Sequence, residues 1–221
     1  MLGSAPKTYS PVSLIETGAD ATMPDEKRSI LGRKPHKFES SGEFLEHLDG
    51  EERRRSVPPE TIVERMGLSE SDSVLDLGAG VGYFASPISK RCREVLAIDS
   101  EPKMLSILAQ RASSSGVGNI HLVCGDITVL PLADGLVDHV LAAFVYHEVA
   151  DQSKLIEESA RVLRHSGKLT VVDFQKRISR EGPPIWVKKS PGHVDRTASP
   201  WFRPFNRFET DLYYQLCFTK S

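Results

Sequence analysis

Little cysteine, no long apolar run and almost no net charge mark this chain, and each shortage closes off a class of protein. Cys92, Cys124 and Cys217 are the only thiols in 221 residues. They are an odd number without metal-type spacing, which argues against a thiolate metal site and fits a reducing compartment. No apolar stretch approaches the roughly 18 residues that a membrane span needs. With 28 Lys and Arg against 30 Asp and Glu, the formal charge is −2. No global field is left to recruit nucleic acid or an anionic membrane. Internal repeats and low-complexity segments are also missing.

What remains is the profile of a globular enzyme, 39% hydrophobic and 26% charged, long enough for one sizeable core. One α/β domain is expected over residues 35–221, after an arm at 1–34 that mixes Ser, Pro, Gly and charge without periodicity and reads as disordered. Glu16, Asp20, Asp25 and Glu26 count against a mitochondrial presequence, and no apolar core marks a secretory signal. Cytoplasmic localisation is the expectation.

The most informative stretch is Val74-Leu75-Asp76-Leu77-Gly78-Ala79-Gly80-Val81-Gly82-Tyr83-Phe84. It reads as a buried strand running into a glycine turn that opens a helix, with the Asp76 carboxylate at the strand end, where parallel sheets bind ligands. Glycine at 78, 80 and 82 allows positive φ and close approach of a ligand to backbone. The dinucleotide fingerprint G-x-G-x-x-G would need glycine at position 83, where Tyr83 stands. A second apolar strand, Glu94-Val95-Leu96-Ala97-Ile98-Asp99, ends in an acid nineteen positions after Gly80. Such a carboxylate can accept both hydroxyls of a ribose, which supports a nucleoside without choosing which one. A third strand, Ile120-His121-Leu122-Val123, leads directly into Cys124-Gly125-Asp126-Ile127.

A glycine loop preceded by a strand-end acid resembles motif I of the class I S-adenosylmethionine-dependent methyltransferases, and the later segments follow that family's order across residues 61–174. Pro131 to Ala142 is similar to its loop into strand four, and Ala160 to Asp173 to its helix, glycine turn and fifth strand. Within that family the chain resembles the type 11, ubiquinone-biosynthesis-like group of small-molecule enzymes. The resemblance implies a doubly wound, Rossmann-like sheet of about seven strands, the last antiparallel, with helices on both faces. It also implies S-adenosyl-L-methionine as cofactor, with Asp76 facing its amino-acid end and Gly78, Ala79, Gly80, Gly82 and Tyr83 forming the loop around it. Asp99 and Ser100 would take the ribose, Asp126 and Ile127 the adenine, and Phe144 would complete the cofactor pocket.

Helical periods agree. Met104, Leu105, Leu108, Ala109 and Ala112 share one face behind Ser100 as cap and Pro102 in the first turn. Leu155, Ile156, Ser159, Val162 and Leu163 repeat the stripe behind Asp151. Pro87 is tolerable only if its helix starts near Phe84. Towards the amino terminus, Ser40-Ser41-Gly42-Glu43 is a capping box ahead of Phe44, Leu45 and Leu48, and Pro58-Pro59 starts a helix with Ile62, Val63 and Met66 inward. In the family such helices (here within 35–72) form part of a lid, which Phe44 and His47 could line, although local packing is the plainer reading. Glu51-Glu52-Arg53-Arg54-Arg55 reads as a solvated helical face.

The carboxyl end departs from the family pattern. Leu212, Tyr214, Leu216 and Phe218 alternate with polar neighbours as a half-buried last strand. Before it, Gly182-Pro183-Pro184, Ser190-Pro191-Gly192, Ser199-Pro200 and Pro204 break any long helical period, so the helix before strand six is expected to be shortened or absent. Between residues 175 and 204 seven cations face only Glu181 and Asp195, with Trp186, Trp201 and Phe202 interleaved. This favours a solvated loop with two anchoring tryptophans over a site for an anionic substrate or single-stranded RNA.

Methyl transfer from a sulfonium is an in-line displacement governed mainly by proximity and orientation, and it needs a base only when the acceptor must lose a proton. Tyr146 and His147, just after strand four, are the candidate catalytic residues. His147 suits a base or an acceptor clamp. Zinc is not expected, since Asp151 occupies the place of the second histidine in H-E-x-x-H. Two function classes stay open: an active small-molecule methyltransferase, or a catalytically inactive cofactor-binding or scaffold protein on the same fold. The expected partner is a small-molecule acceptor, with no membrane and no nucleic acid. Arsenite is disfavoured because no cysteines cluster.

Overall fold

The computed structural model describes residues 48–179 and 182–221. The arm at 1–34, the capping box at 40–43, and Phe44, Leu45, His47, Arg180 and Glu181 lie outside them.

Short apolar runs with β-branched residues become the central strands, and amphipathic runs become the helices that cover them. In chain order these are α1 (Glu51–Ser56), α2 (Pro59–Met66), β1 (Ser73–Leu77), α3 (Ala85–Ser89), β2 (Glu94–Asp99), α4 (Pro102–Ser114), β3 (Ile120–Cys124) and β4 (Val137–Ala143). A 3₁₀ turn (Tyr146–Glu148), α5 (Gln152–Val162), β5 (Leu163–Phe174), α6 (Pro191–Ala198), β6 (Phe202–Glu209) and β7 (Tyr213–Lys220) follow. The strands form one sheet in the order β3-β2-β1-β4-β5-β7-β6, in which β7 runs antiparallel to both neighbours and the other pairings are parallel. The chain reverses its direction of travel across the sheet between β1 and β4. In open α/β sheets the crevice beyond those strand ends is where ligands bind.

Two cores form, one on each face. Ile62, Val63 and Met66 of α2, Ile88 of α3, and Leu105 and Leu108 of α4 cover one side. Leu155 and Ile156 of α5, with Val194 and Ala198 of α6, cover the other. Pro87 is the third residue of α3, where no intrahelical partner is lost. Pro102 opens α4 as expected, but the cap residue is Glu101 rather than Ser100.

The carboxyl region carries a complete sheet edge. The helix before strand six is shortened to the eight residues of α6, with Pro191 in its first turn and Ser190 Oγ accepting from the His193 N–H. β7 is not half-buried. Both faces of the sheet are covered there, so its side chains enter both cores, Tyr213 in one and Tyr214, Leu216 and Phe218 in the other. The expected tryptophan anchors are absent from the packing: Trp186 is 77% and Trp201 44% exposed, while Phe202 is the buried aromatic. The glycine turn ahead of strand five is absorbed into β5 as a register shift against β4, with Ser166 at φ +61°.

Two long-range bonds fasten the amino-terminal helices to this frame. Tyr83 donates its hydroxyl to the Val57 carbonyl at 2.7 Å, and the buried Gln215 of β7 donates through Nε2 to the Ile62 carbonyl at 3.0 Å.

Gly82 has a packing role. Its φ is +90°, and a Cβ added there would fall inside the van der Waals envelope of Leu108 Cδ1. Overpacking and a strained φ each cost about 1–3 kcal/mol, so together, at about 2–4 °C per kcal/mol for a domain of this size, Gly82→Ala should lower Tm by roughly 4–24 °C in calorimetry. An unchanged Tm would contradict this packing account.

Candidate active site

A cavity of about 720 Å³ opens beyond the carboxyl ends of the parallel strands. Its lower wall is the glycine loop. The Gly78 and Ala79 amides both donate to the Ile98 carbonyl, at 2.9 and 3.0 Å, which pins the loop to the end of β2. Gly80 donates to Asp99 Oδ2 at 2.8 Å, and Glu101 donates to Asp99 Oδ1 at 2.9 Å. Each Asp99 oxygen is held by one amide and keeps lone-pair capacity towards the cavity, the arrangement a bidentate grip on two hydroxyls requires.

The three loop glycines divide their labour. All have positive φ, but a Cβ at Gly78 would meet Val145 at 2.8 Å and one at Gly82 would meet Leu108, whereas nothing lies within 4 Å at Gly80. Only Gly80 therefore leaves open space for a ligand to approach backbone. Gly82 does not line the cavity, contrary to its expected place in the cofactor pocket, because its open side is filled by α4.

Asp76 lies beneath the loop, 2% exposed, and its Oδ2 has no hydrogen-bond partner. Burial, then repulsion from Asp99, pushes its carboxyl pKa up to about 8, against the pull of the Ala85 amide. A buried carboxyl oxygen without a donor is costly. Like Gly82, Asp76 does not border the cavity, contrary to its expected place facing the cofactor.

At the far end, Ser100, Met104, Asp126 and Ile127 line the cavity. Asp126 Oδ1 accepts from both the amide and the hydroxyl of Thr128 at 2.7 Å, leaving Oδ2 for an outside donor such as an amine.

The opposite wall is aromatic. Phe144, at φ +57°, leaves β4 in the left-handed region and places its ring 4.7 Å from Phe174 and 6.3 Å from Phe84. Its amide is held by the Val172 carbonyl at 2.7 Å. His147 borders the same wall, its ring 5.9 Å from Phe174. Asp173, fully buried at the end of β5, takes two bonds from His147: the backbone N–H to Oδ2 at 3.0 Å, and Nδ1 to Oδ1 at 2.7 Å. In the tautomer that gives Nδ1–H to Asp173, Nε2 is the ring nitrogen left for another partner, and Glu148 Oε1 stands 3.7 Å from it.

Tyr146 departs from its expected catalytic place. Successive residues of a 3₁₀ turn point about 120° apart, so the turn that aims His147 at the cavity sends Tyr146 into the second core, fully buried and 6.1 Å from the His193 ring. It does not border the cavity.

The cavity also uses residues that sequence reasoning passed over. Arg53 and Leu48 line it from the amino-terminal side, and Phe174, Met104 and Glu148 complete its walls. The charge run at 51–55 is thus not uniformly solvated, because Arg53 turns inward over the Tyr83 and Phe144 rings. Asp173 stood in the fifth-strand motif, and its signal was an acid at the end of an otherwise apolar strand.

Residues 75–171 match the family model described as "Methyltransferase domain". A solved SAM-dependent methyltransferase from Aquifex aeolicus superimposes with a TM-score of 0.75 at 25% identity, covering 81% of this chain and 98% of that one. This core is a class I S-adenosylmethionine-dependent methyltransferase domain. Its cofactor is S-adenosylmethionine, and the open space at Gly80 leaves room for a ligand against the loop backbone. Among curated proteins, an uncharacterized methyltransferase of Mycobacterium tuberculosis (strain H37Rv) is 35% identical over 147 residues, 66% of this chain and 56% of that protein. The ubiquinone/menaquinone biosynthesis C-methyltransferase of Haemophilus ducreyi is 32% identical over 120 residues, 52% of this chain and 46% of that protein. The chain thus spans about half the length of these two relatives. Among the described residues, no helix is long and apolar enough to cross a membrane, and no group of three or more His, Cys, Asp and Glu could hold a metal ion.

Proposed function

We propose that the protein transfers a methyl group to a small-molecule acceptor in the cytoplasm, with His147 taking the acceptor's proton. The observation that carries this reading is the Asp173–His147 pair on the wall of the cavity that Asp99, Asp126 and Gly80 also line. When bound, S-adenosylmethionine supplies a methyl group on a sulfonium. Asp99 would hold the ribose hydroxyls and Asp126 the adenine amine. Phe144 and Phe174 offer flat apolar surface for an acceptor and exclude water around the reacting atoms. His147 Nε2 accepts the proton that the acceptor atom loses, while Asp173 stabilises the resulting imidazolium and keeps the ring aimed. A flat acceptor also suits the likeness to enzymes named for ubiquinone and menaquinone biosynthesis.

Calorimetric titration tests the cofactor half. S-adenosylhomocysteine should bind saturably and NAD should not. Asp99→Ala should weaken that binding by roughly tenfold or more, since a hydrogen bond to a charged group contributes about 1.5–3 kcal/mol. Binding of NAD alone, or an Asp99→Ala protein with undiminished affinity, would refute these assignments. Incubating cell extract with isotopically labelled cofactor and reading the products by mass spectrometry tests transfer itself. Binding without any labelled product would instead support the scaffold reading.

A further inference from the structure

We infer that residues 176–179 and 184–189, with the first turn of α6, form a docking surface for an anionic lipid bilayer. Ile178 and Trp186 are the most exposed large apolar side chains among the described residues, at 87% and 77%. One buried lysine roots both. Lys188, 1% exposed, donates through Nζ to the Arg177 carbonyl at 3.2 Å and to Ser179 Oγ at 2.7 Å, so the residues on either side of Ile178 are fastened to a point two residues beyond Trp186. Trp186 stands in a turn closed by the Val187 amide on the Pro184 carbonyl at 3.1 Å. The two stretches are thus joined from within, and their large apolar side chains are left in solvent.

Positive charge accompanies them. Lys176, Arg177 and Arg196 are exposed. Lys189, Arg196 and Lys176 each add to the burial that holds the His193 pKa down, which gathers three cations near one ring in the first turn of α6. Arg196 reaches back to that turn, its Nη1 3.7 Å from where a Cβ on Gly192 would stand. Of the two acids in 175–204, Asp195 is paired with Arg207 at 3.1 Å, and Glu181 lies outside the described residues. Seven cations against two acids over that stretch belong to a chain whose formal total is −2, so the remainder is net acidic and the molecule is electrically polarised. The total charge conceals such a local field.

An indole at headgroup level beside Lys and Arg is a combination that holds proteins against anionic bilayers, and it needs no spanning helix. Other partners fit less well. RNA bases stack on flat rings, and Ile178 offers none. A second copy docked through the same patch about a two-fold axis would set these cations against themselves. Phe174 and Pro183, which line the cavity, precede Ile178 and Trp186 by only four and three residues, so docking would hold one wall of the cavity close to the bilayer.

Trp186 and Trp201 are the only tryptophans, so Trp201→Phe makes Trp186 the sole indole and a direct reporter. The full chain carrying that change is titrated with vesicles of equal parts phosphatidylglycerol and phosphatidylcholine, and with phosphatidylcholine alone, and read by indole emission and cosedimentation. Anionic vesicles should blue-shift Trp186 and bind roughly tenfold or more better than neutral ones, less so as salt is raised. In the parent chain, Trp186→Ala, and Lys176→Glu combined with Arg196→Glu, should each reduce cosedimentation by roughly tenfold or more at parental Tm. Should either fail to fold, Ile178→Ser decides by the same measure. Equal or absent binding to the two vesicle types overturns the proposal, as does undiminished binding by the folded variants. Two further results also overturn it: Trp186 already blue-shifted and shielded from acrylamide without lipid, which would mean that residues 1–47 or a second copy cover it, or quenching by oligouridylate without any response to anionic vesicles. None of these readouts involves a cofactor, so the outcome is separate from that of the methyl-transfer reading.

Discussion

His147→Ala is expected to lower kcat for methyl transfer by about 10²–10⁴ while leaving S-adenosylhomocysteine affinity nearly unchanged, the range that loss of a positioned acid or base produces. The contacts of His147 are with Asp173, Phe174 and Glu148, and none of them is with the Asp99 or Asp126 carboxylate. Asp173→Asn should cost activity on the same scale. Asp173 accepts the Nδ1–H and the backbone N–H of His147, and an amide there can hold the ring in the tautomer whose Nε2 carries the proton and cannot take another. Steady-state kinetics on the acceptor found by the labelling screen, with free imidazole added to His147→Ala, separates the roles. Partial rescue by imidazole with KM near its parental value supports a base. A rise in KM with little change in kcat would indicate uniform acceptor binding. A variant that loses thermal stability or cofactor affinity but keeps full activity per folded molecule would make the histidine structural.

Asp76 gives the second large effect, and it is visible without any acceptor. Its folded pKa is raised to about 8, from an ordinary value near 4. The fold therefore binds the proton more tightly than the unfolded chain does. That contribution to stability is complete below pH ~4 and is lost as pH rises through about 8, with a slope of at most about 1.4 kcal/mol per pH unit. His139 and His193, whose pKa values burial lowers, act in the opposite sense as pH falls through and below about 6.5. The diagnostic quantity is thus the difference between parent and Asp76→Asn. Asp76→Asn should gain Tm relative to the parent as pH is raised from 5 towards 8.5 or so, and parallel Tm profiles would refute a protonated Asp76.

The parallel half of the sheet was legible because its signals are local: short apolar runs, terminal acids and glycines at fixed offsets. The same locality marked Asp76, Gly80, Asp99, Asp126 and His147 as candidates. Where the sequence misled, the deciding information was which way a side chain turns. Three consecutive arginines look alike as a charge run, and only the rotation of a six-residue helix selects Arg53 for the cavity. Tyr146 and His147 are neighbours in sequence, yet their turn sends one into the second core and the other to the cavity wall. β7 looked half-buried because Gln215 and Thr219 alternate with its apolar residues. Helices packed on either side of the sheet bury both its faces, and Gln215 finds a carbonyl partner in one of them. The shortened α6 was legible from its prolines, whereas the intact sheet edge beyond it depends on the β6–β7 pairing, which no local pattern encodes.

The bond from Gln215 to the Ile62 carbonyl closes a loop of 153 residues, and this separation sets an order of events as the chain folds. Contacts so distant in sequence form late, after the neighbouring βα units have assembled from their own short connections. The helix that carries the inward-facing arginine is joined by a two-residue link to the helix this bond secures. On a ribosome, the sheet from β1 to β5 can therefore take shape with its ligand crevice still open on one side. The Tyr83 bond to Val57 can hold that side early, but its second tie waits until the antiparallel strand has been synthesised and inserted between its neighbours, so the crevice gains its full wall with the last strand rather than with the first motif.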